Sequence, residues 1–199
     1  MQKNFYEAMK DRRSIYAISG ETTISDEKIA EVIGQAVQNT PSAFTNQSAR
    51  VVVLFGENHK KVWSITMETL RKLVPQEKFA ATEDKINSFA AGYGTVLYFD
   101  DTSITGHFAE QFASYKDNFP VWAQQANGML QFAVCTSLEN EGLGATLQHY
   151  NPLIDDEVKA NWKLPESWKL IAEMPFGKPV AAPDAKQFVP LEERMLLFK

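Results

Sequence analysis

The sequence predicts an α+β layer fold, with helices flanking a central mixed or antiparallel β-sheet of at least three strands. Three observations carry this prediction. Two short runs rich in β-branched and aromatic residues, Arg50–Phe55 and Thr95–Phe99, read as strands. Longer segments around them repeat apolar residues at helical spacing. The stretch 118–141 is apolar on nearly every face, which marks a helix buried inside the fold or against a second subunit.

The elements follow in order. Residues 3–13 form a helix with Phe5 and Met9 on one face. Ser25 is an N-cap, followed by Asp26 and Glu27 in the first turn of a helix that carries Ile29, Val32, Ile33, Ala36 and Val37. Pro41 ends it. Arg50–Phe55, closed by Gly56, is predicted as a strand buried on both faces. Residues 57–74 return to helical period through Val62, Ile65, Thr69, Leu70 and Leu73, and 76–91 form a less clearly patterned helix. Thr95–Phe99 is a second central strand, running into Asp100 and Asp101. Residues 104–115 and 118–141 are helices, the second closed by Gly142 and Gly144, since glycine accepts positive φ. Asp155–Asn161 is a short helix, and Trp168–Met174 alternates and reads as a strand. The segment 178–191, with Pro179, Pro183 and Pro190, lacks periodicity and is expected to lie along a partner subunit. No repeat or linker divides the chain, so residues 1–199 are read as one domain.

Composition removes several function classes. The chain has 199 residues, 44% apolar and 23% charged, which is a globular profile. Its net charge of −5 argues against nucleic acid as a partner. The single cysteine, Cys135, excludes an intrachain disulfide and a multi-cysteine zinc site. The N-terminal segment has no apolar core of a signal peptide, and no apolar run approaches the ~20 residues that span a bilayer. A cytoplasmic protein without a membrane partner is expected.

No P-loop, G-x-G-x-x-G or G-x-S-x-G motif is present, and His59, His107 and His149 lack metal-ligand spacing, so no metal site is expected. Cys135, mid-helix among apolar residues, reads as a buried small hydrophobe. Three segments stand out. Arg12-Arg13-Ser14 offers two guanidiniums and a hydroxyl to a phosphate, or else is a solvated basic helix end. The loop Thr40–Ser48 is dense in amides and hydroxyls that suit a polyol chain, or else is an ordinary polar loop. Glu141–Pro152 brings small residues and backbone N–H groups that suit a flat ligand.

The order of these pieces resembles the nitroreductase family of FMN enzymes. An early Arg12-Arg13-Ser14, a Pro41-Ser42 loop with Gln47 before a strand, Gly142-Leu143-Gly144 after a long helix and a proline-rich tail carry the resemblance. The run Gly142–Pro152, with Phe119-Pro120-Val121-Trp122 upstream, is similar to a short subgroup that includes yeast fatty-acid-repression-type and bacterial copper-induced members. The resemblance implies a homodimer that shares two FMN molecules across its interface. By it, Arg12, Arg13 and Ser14 hold the FMN phosphate, and Ser42 and Gln47 contact the flavin and its ribityl chain. Thr45 stands where the family carries Asn, with Asn46 next to it, so either side chain could make the ribityl contact. Gln148 and His149 would present backbone to the flavin ring, and Lys186 would approach the phosphate, with Phe188 in place of a second cation.

The implied activity is an FMN-dependent NAD(P)H oxidoreductase. NADH or NADPH would donate a hydride to flavin N5, and a nitroaromatic or quinone would be reduced in a second half-reaction. The chemistry belongs to the cofactor, which accounts for the lack of an evident catalytic acid, base or nucleophile. Phe119 and Trp122 are candidates for an aromatic lid over the acceptor, or for core packing. A flavin-binding stress-response or regulatory protein with incidental reductase activity is the alternative.

Overall fold

The computed structural model describes residues 3–199. Helix α1 spans Phe5–Asp11 and is opened by a reciprocal cap, in which Asn4 Oδ1 accepts the Glu7 N–H and Glu7 Oε2 accepts the Asn4 N–H. It ends at Arg12, whose backbone leaves helical geometry (φ −56°, ψ 118°), so Arg12-Arg13-Ser14 emerges in extended conformation. A two-residue strand β1, Ile18–Ser19, follows. Helix α2, Asp26–Asn39, is capped by the Ser25 side chain and buries Ile29, Val32, Ile33 and Ala36, while Val37 stays exposed.

The remaining strands are β2 (Ala49–Phe55), β3 (Gly94–Asp101), β4 (Gly144–Ala145) and β5 (Trp168–Pro179). The order is β1-β5-β3-β2, with β4 also on β5, and every pair is antiparallel. One strand expectation is corrected here, and another is extended. Arg50–Phe55 lies in an edge strand that pairs with β3 alone, and within the chain only its Leu54 is buried. Trp168–Met174 belongs to a strand five residues longer whose residues Leu170–Gly177 are all buried, Glu173 included. The apparent alternation came from Lys169 and Glu173, and β5 lies inside the sheet between β1 and β3.

Helices cover both sheet faces. On β3, Val96 and Tyr98 join a cluster with Ile29, Val134, Leu138 and Met174, while Leu97 and Phe99 join Val62, Trp63, Phe89 and Val158 on the other side. The first layer is α2 with α6 (Phe119–Asn140), and the second is α3 (Gly56–Arg71), α4 (Phe79–Ala90) and α7 (Asp155–Trp162). Helix α5, Thr102–Gln111, leads into α6. The second layer holds a polar knot, with Thr95 Oγ1 2.8 Å from His59 Nδ1 and 2.9 Å from Trp63 Nε1. Helix α6 closes with Gly142 at φ +83°, the Gly142 N–H donating to Glu139 O and the Leu143 N–H to Leu138 O. This stop turns the chain straight into β4.

At Gly177 a Cβ would stand 2.2 Å from Ser19 O, so only glycine lets β1 meet β5 there. The tail after Val180 has a single short 3-10 turn, Leu191–Glu193, and leaves Leu196, Leu197 and Phe198 exposed. Among the described residues no helix is long and apolar enough to cross a membrane.

Candidate functional site

The site is organised by one register. Gly144 pairs with Gly177 and Ala145 with Phe176, and Gln148 bridges Glu173 further along. Each pair sums to the same number, so 144–148 runs along β5 without a slip. The regular ladder lapses between them because Pro175 has no N–H to return, although the Thr146 N–H still donates to Pro175 O at 3.2 Å. Strand geometry then sorts the segment. Thr146, Gln148 and Tyr150 turn their N–H groups toward β5, ending on Pro175 O, Glu173 O and the Glu173 side chain. The odd residues face the other way. Ala145 O accepts the Ile15 N–H at 3.0 Å, and this bond ties the Arg12–Ser14 segment alongside.

Three adjoining cavities surround this seam. One of about 420 Å³ is lined by Arg12, Arg13 and Ser14 and by Ala181–Asp184 of the tail. A second, about 200 Å³, shares Arg12 and Ser14 and adds Thr146, Leu147 and the α6 residues Gly128, Gln131 and Cys135. A third, about 410 Å³, shares Gly128 and Gln131 and adds His149, Asn151 and Lys169. Gly128 has nothing within 4 Å of its Cβ position, so its missing side chain opens the wall where two cavities meet. Burial pushes the Cys135 thiol up, although the Arg12 guanidinium beside it works in the opposite direction. The thiol is a neutral wall group.

Gln148 is buried and both its backbone groups are spent on Glu173, whereas His149 is exposed at the third cavity. The outward backbone therefore belongs to Leu147 and His149. Lys186 is exposed and lies outside the cavity lining, its Nζ 5.1 Å from the centre of the Phe188 ring, while Asp184 stands in the cavity instead.

The Thr40–Ser48 loop lies elsewhere on the chain. It frames a separate cavity of about 430 Å³ with Ser42, Thr45, Gln47 and Arg50. Phe44, Thr45 and Gln47 all have positive φ near 50°, a costly backbone for residues with side chains. Ser42 Oγ accepts the Gln47 N–H at 2.9 Å, and Arg50 donates to Gln47 O. Asn46 is buried and its Oδ1 accepts the Ser48 N–H, whereas Thr45 is exposed at the cavity. Burial would raise the Asp101 carboxyl, but hydrogen bonds from Ser103 and Ser167 and the Arg50 charge hold it below its ordinary value. Arg50 is thereby fixed at the base of the loop. Phe119 has no exposed surface and packs within an aromatic cluster. Trp122 and Phe44 stack with centres 6.1 Å apart and line an open apolar recess.

Sequence reasoning missed Gln131, Asn127, Gly128 and Glu173. The signal existed for Asn127 and Gln131, two amides four apart in an otherwise apolar helix, and for Glu173, a carboxyl within an apolar strand. Gln131 Nε2 donates to Asn127 Oδ1 at 2.7 Å, and Asn127 Nδ2 donates to Phe99 O at 3.1 Å.

Comparison with known proteins places this architecture. Residues 9–178 match the model of the nitroreductase family. HBN1 of Saccharomyces cerevisiae is 34% identical over 189 residues, covering 93% of each chain. The structure of nitroreductase CinD from Lactococcus lactis in complex with chloramphenicol superposes with a TM-score of 0.91 at 39% identity, covering 98% of this chain and 100% of that one. CinD has also been solved with 4-nitrophenol. A more distant chain from Desulfovibrio desulfuricans, 19% identical with a TM-score of 0.70, shares the fold and was solved in complex with FMN. The antiparallel sheet and the match over most of the chain thus agree, and the protein belongs to the nitroreductase family as a nitroreductase-type oxidoreductase.

Proposed function

We propose that the chain is a single-domain, FMN-dependent NAD(P)H oxidoreductase that reduces nitroaromatics or quinones as a homodimer. The observation that carries this reading is the run of adjoining cavities along the 144–149 seam, with cations at one end and outward backbone in the middle. The donor set fits FMN. Arg12, Arg13 and Ser14 supply charge-assisted hydrogen bonds to a phosphate. The outward N–H groups of Leu147 and His149 suit ring acceptors, and the Gly128 gap admits a flat ring. When bound, FMN supplies the two-electron chemistry.

The chain's own residues bind, orient and shield. Lys169 and the amide of Gln131 line the cavity walls and favour negative charge there. Phe44 and Trp122 offer a stacking surface for a flat acceptor of the kind that CinD has been solved with. The loop with Ser42, Thr45 and Gln47 shares no lining residue with the Arg12 cavities, so a partner subunit's copy would complete the ribityl contacts, Thr45 serving in place of buried Asn46. The exposed Val121, Met129 and Phe132 of α6 and the unpacked tail supply apolar surface for that partner.

An absorption spectrum of the purified protein, before and after anaerobic NADH or NADPH, tests the reading. Flavin bands near ~450 nm should bleach and return with a nitroaromatic or quinone. Bands that persist with both donors would leave a binding role. A chain that stays colourless after incubation with FMN would overturn the proposal.

A further inference from the structure

Glu173 has no exposed surface, yet it takes up the inward backbone hydrogen bonds of Gln148 and Tyr150. Its backbone N–H donates to Gln148 O at 3.0 Å, its carbonyl accepts the Gln148 N–H at 2.7 Å, and its side-chain Oε2 accepts the Tyr150 N–H at 2.9 Å. These bonds occupy the β5 side of two residues that flank His149. They also fix its alternation, so Leu147 and His149 turn outward onto the cavities. Neither Leu147 nor His149 has a partner for its N–H among the described residues.

A charged residue is not required merely to fill this place in the sheet. Among the described residues Glu173 Oε1 is buried without a partner, and so are Asn151 Oδ1, in the turn after Tyr150, and Asp155 Oδ1, at the start of α7. An orphaned buried acceptor is costly, whereas a protonated Glu173 turns its own carboxyl into a donor near Asp155. Burial pushes the Glu173 carboxyl up to about 8, and the nearby Asp155 charge adds to this. Of the groups packed against it, Asp155 and the Tyr150 hydroxyl titrate, and Leu97 faces it from β3.

We propose that Glu173 is a positioning residue that holds the Leu147–His149 backbone toward the cofactor cavities. This rests on the FMN reading above. The carboxyl touches no ligand, and it acts through the Tyr150 N–H, while the main chain of residue 173 holds Gln148.

The test measures FMN dissociation constants of the full chain from pH 6 to 9.5 for wild type, Glu173→Gln and Glu173→Leu. Wild type should lose affinity as pH rises through about 8, because the anionic FMN and the water it excludes from the adjoining cavities would disfavour a carboxylate there further. Glu173→Gln keeps an acceptor for Tyr150 and adds a donor, so it should match wild type at pH 6 and show no loss at higher pH. Glu173→Leu should bind about tenfold more weakly at every pH, because the Tyr150 N–H is left unpaired. If Glu173→Leu does not fold, the pH profiles of wild type and Glu173→Gln decide alone. Wild-type affinity and pH profile in Glu173→Gln would overturn this inference and leave the flavin reading standing. No FMN uptake by folded wild type would overturn both.

Discussion

Thr95→Val isolates the polar knot in the second layer. Valine has the shape of threonine and suits a strand, so packing is preserved and only the hydroxyl is lost. His59 Nε2 lies 3.1 Å from Ala90 O, which can only accept, so that nitrogen carries the proton. Nδ1 is then an acceptor, the Thr95 hydroxyl donates to it at 2.8 Å, and the same oxygen accepts from Trp63 Nε1 at 2.9 Å. The substitution strands one donor and one acceptor on side chains that are 1% and 2% exposed, so water cannot replace the lost partner. At about 1–3 kcal/mol for each orphaned group, the loss is about 2–6 kcal/mol, a large part of a stability of about 5–15 kcal/mol. For a chain of this length that lowers the Tm by about 10 °C. Urea and thermal unfolding at fixed protomer concentration would measure it, with Thr95→Ser close to wild type. A Thr95→Val protein within about 0.5 kcal/mol of wild type would refute the assigned tautomer and the two bonds.

Two further outcomes follow from the same structure. Stability should fall on both sides of mildly acidic pH. Burial holds His59 below its ordinary 6.5, so its contribution is complete above 6.5 and is lost as pH falls through the lower folded-state value, and His59→Gln should flatten that limb. Glu173 titrates at about 8 in the fold against 4.5 unfolded, so its contribution is complete below 4.5 and is lost as pH rises through 8; unfolding free energies that stay level from pH 5 to 9 would refute both assignments. Arg12→Ala should weaken FMN binding by about ten- to a hundredfold, the worth of one charge-assisted phosphate contact. Lys186→Ala should change it far less, since Lys186 lies outside the cavity lining. Titration of apoprotein with FMN compares the two, and equal losses would return Lys186 to the site.

Much of this protein was legible in its sequence. Local signals fixed the helices, because caps such as Ser25 and stops such as Gly142 act within a few residues of where they stand. The strand runs around Val53 and Val96 were legible for the same reason. Which strand would be central was not, since edge and centre are set by pairings between distant segments, and the more apolar run, β2, took the edge. The family resemblance also singled out Arg12, Ser14, Thr45 and His149 as residue types suited to a cofactor. Only the tertiary structure decided their grouping. The unbroken register against β5 joins Arg12 and Ser14 to the 145–149 segment and turns His149 rather than Gln148 outward. The Thr45 loop stands apart from them, and an aromatic cluster encloses Phe119 while Trp122 keeps exposed surface. Orientation across a strand alternates with each residue, so the direction a group faces depends on a pairing partner more than twenty residues away.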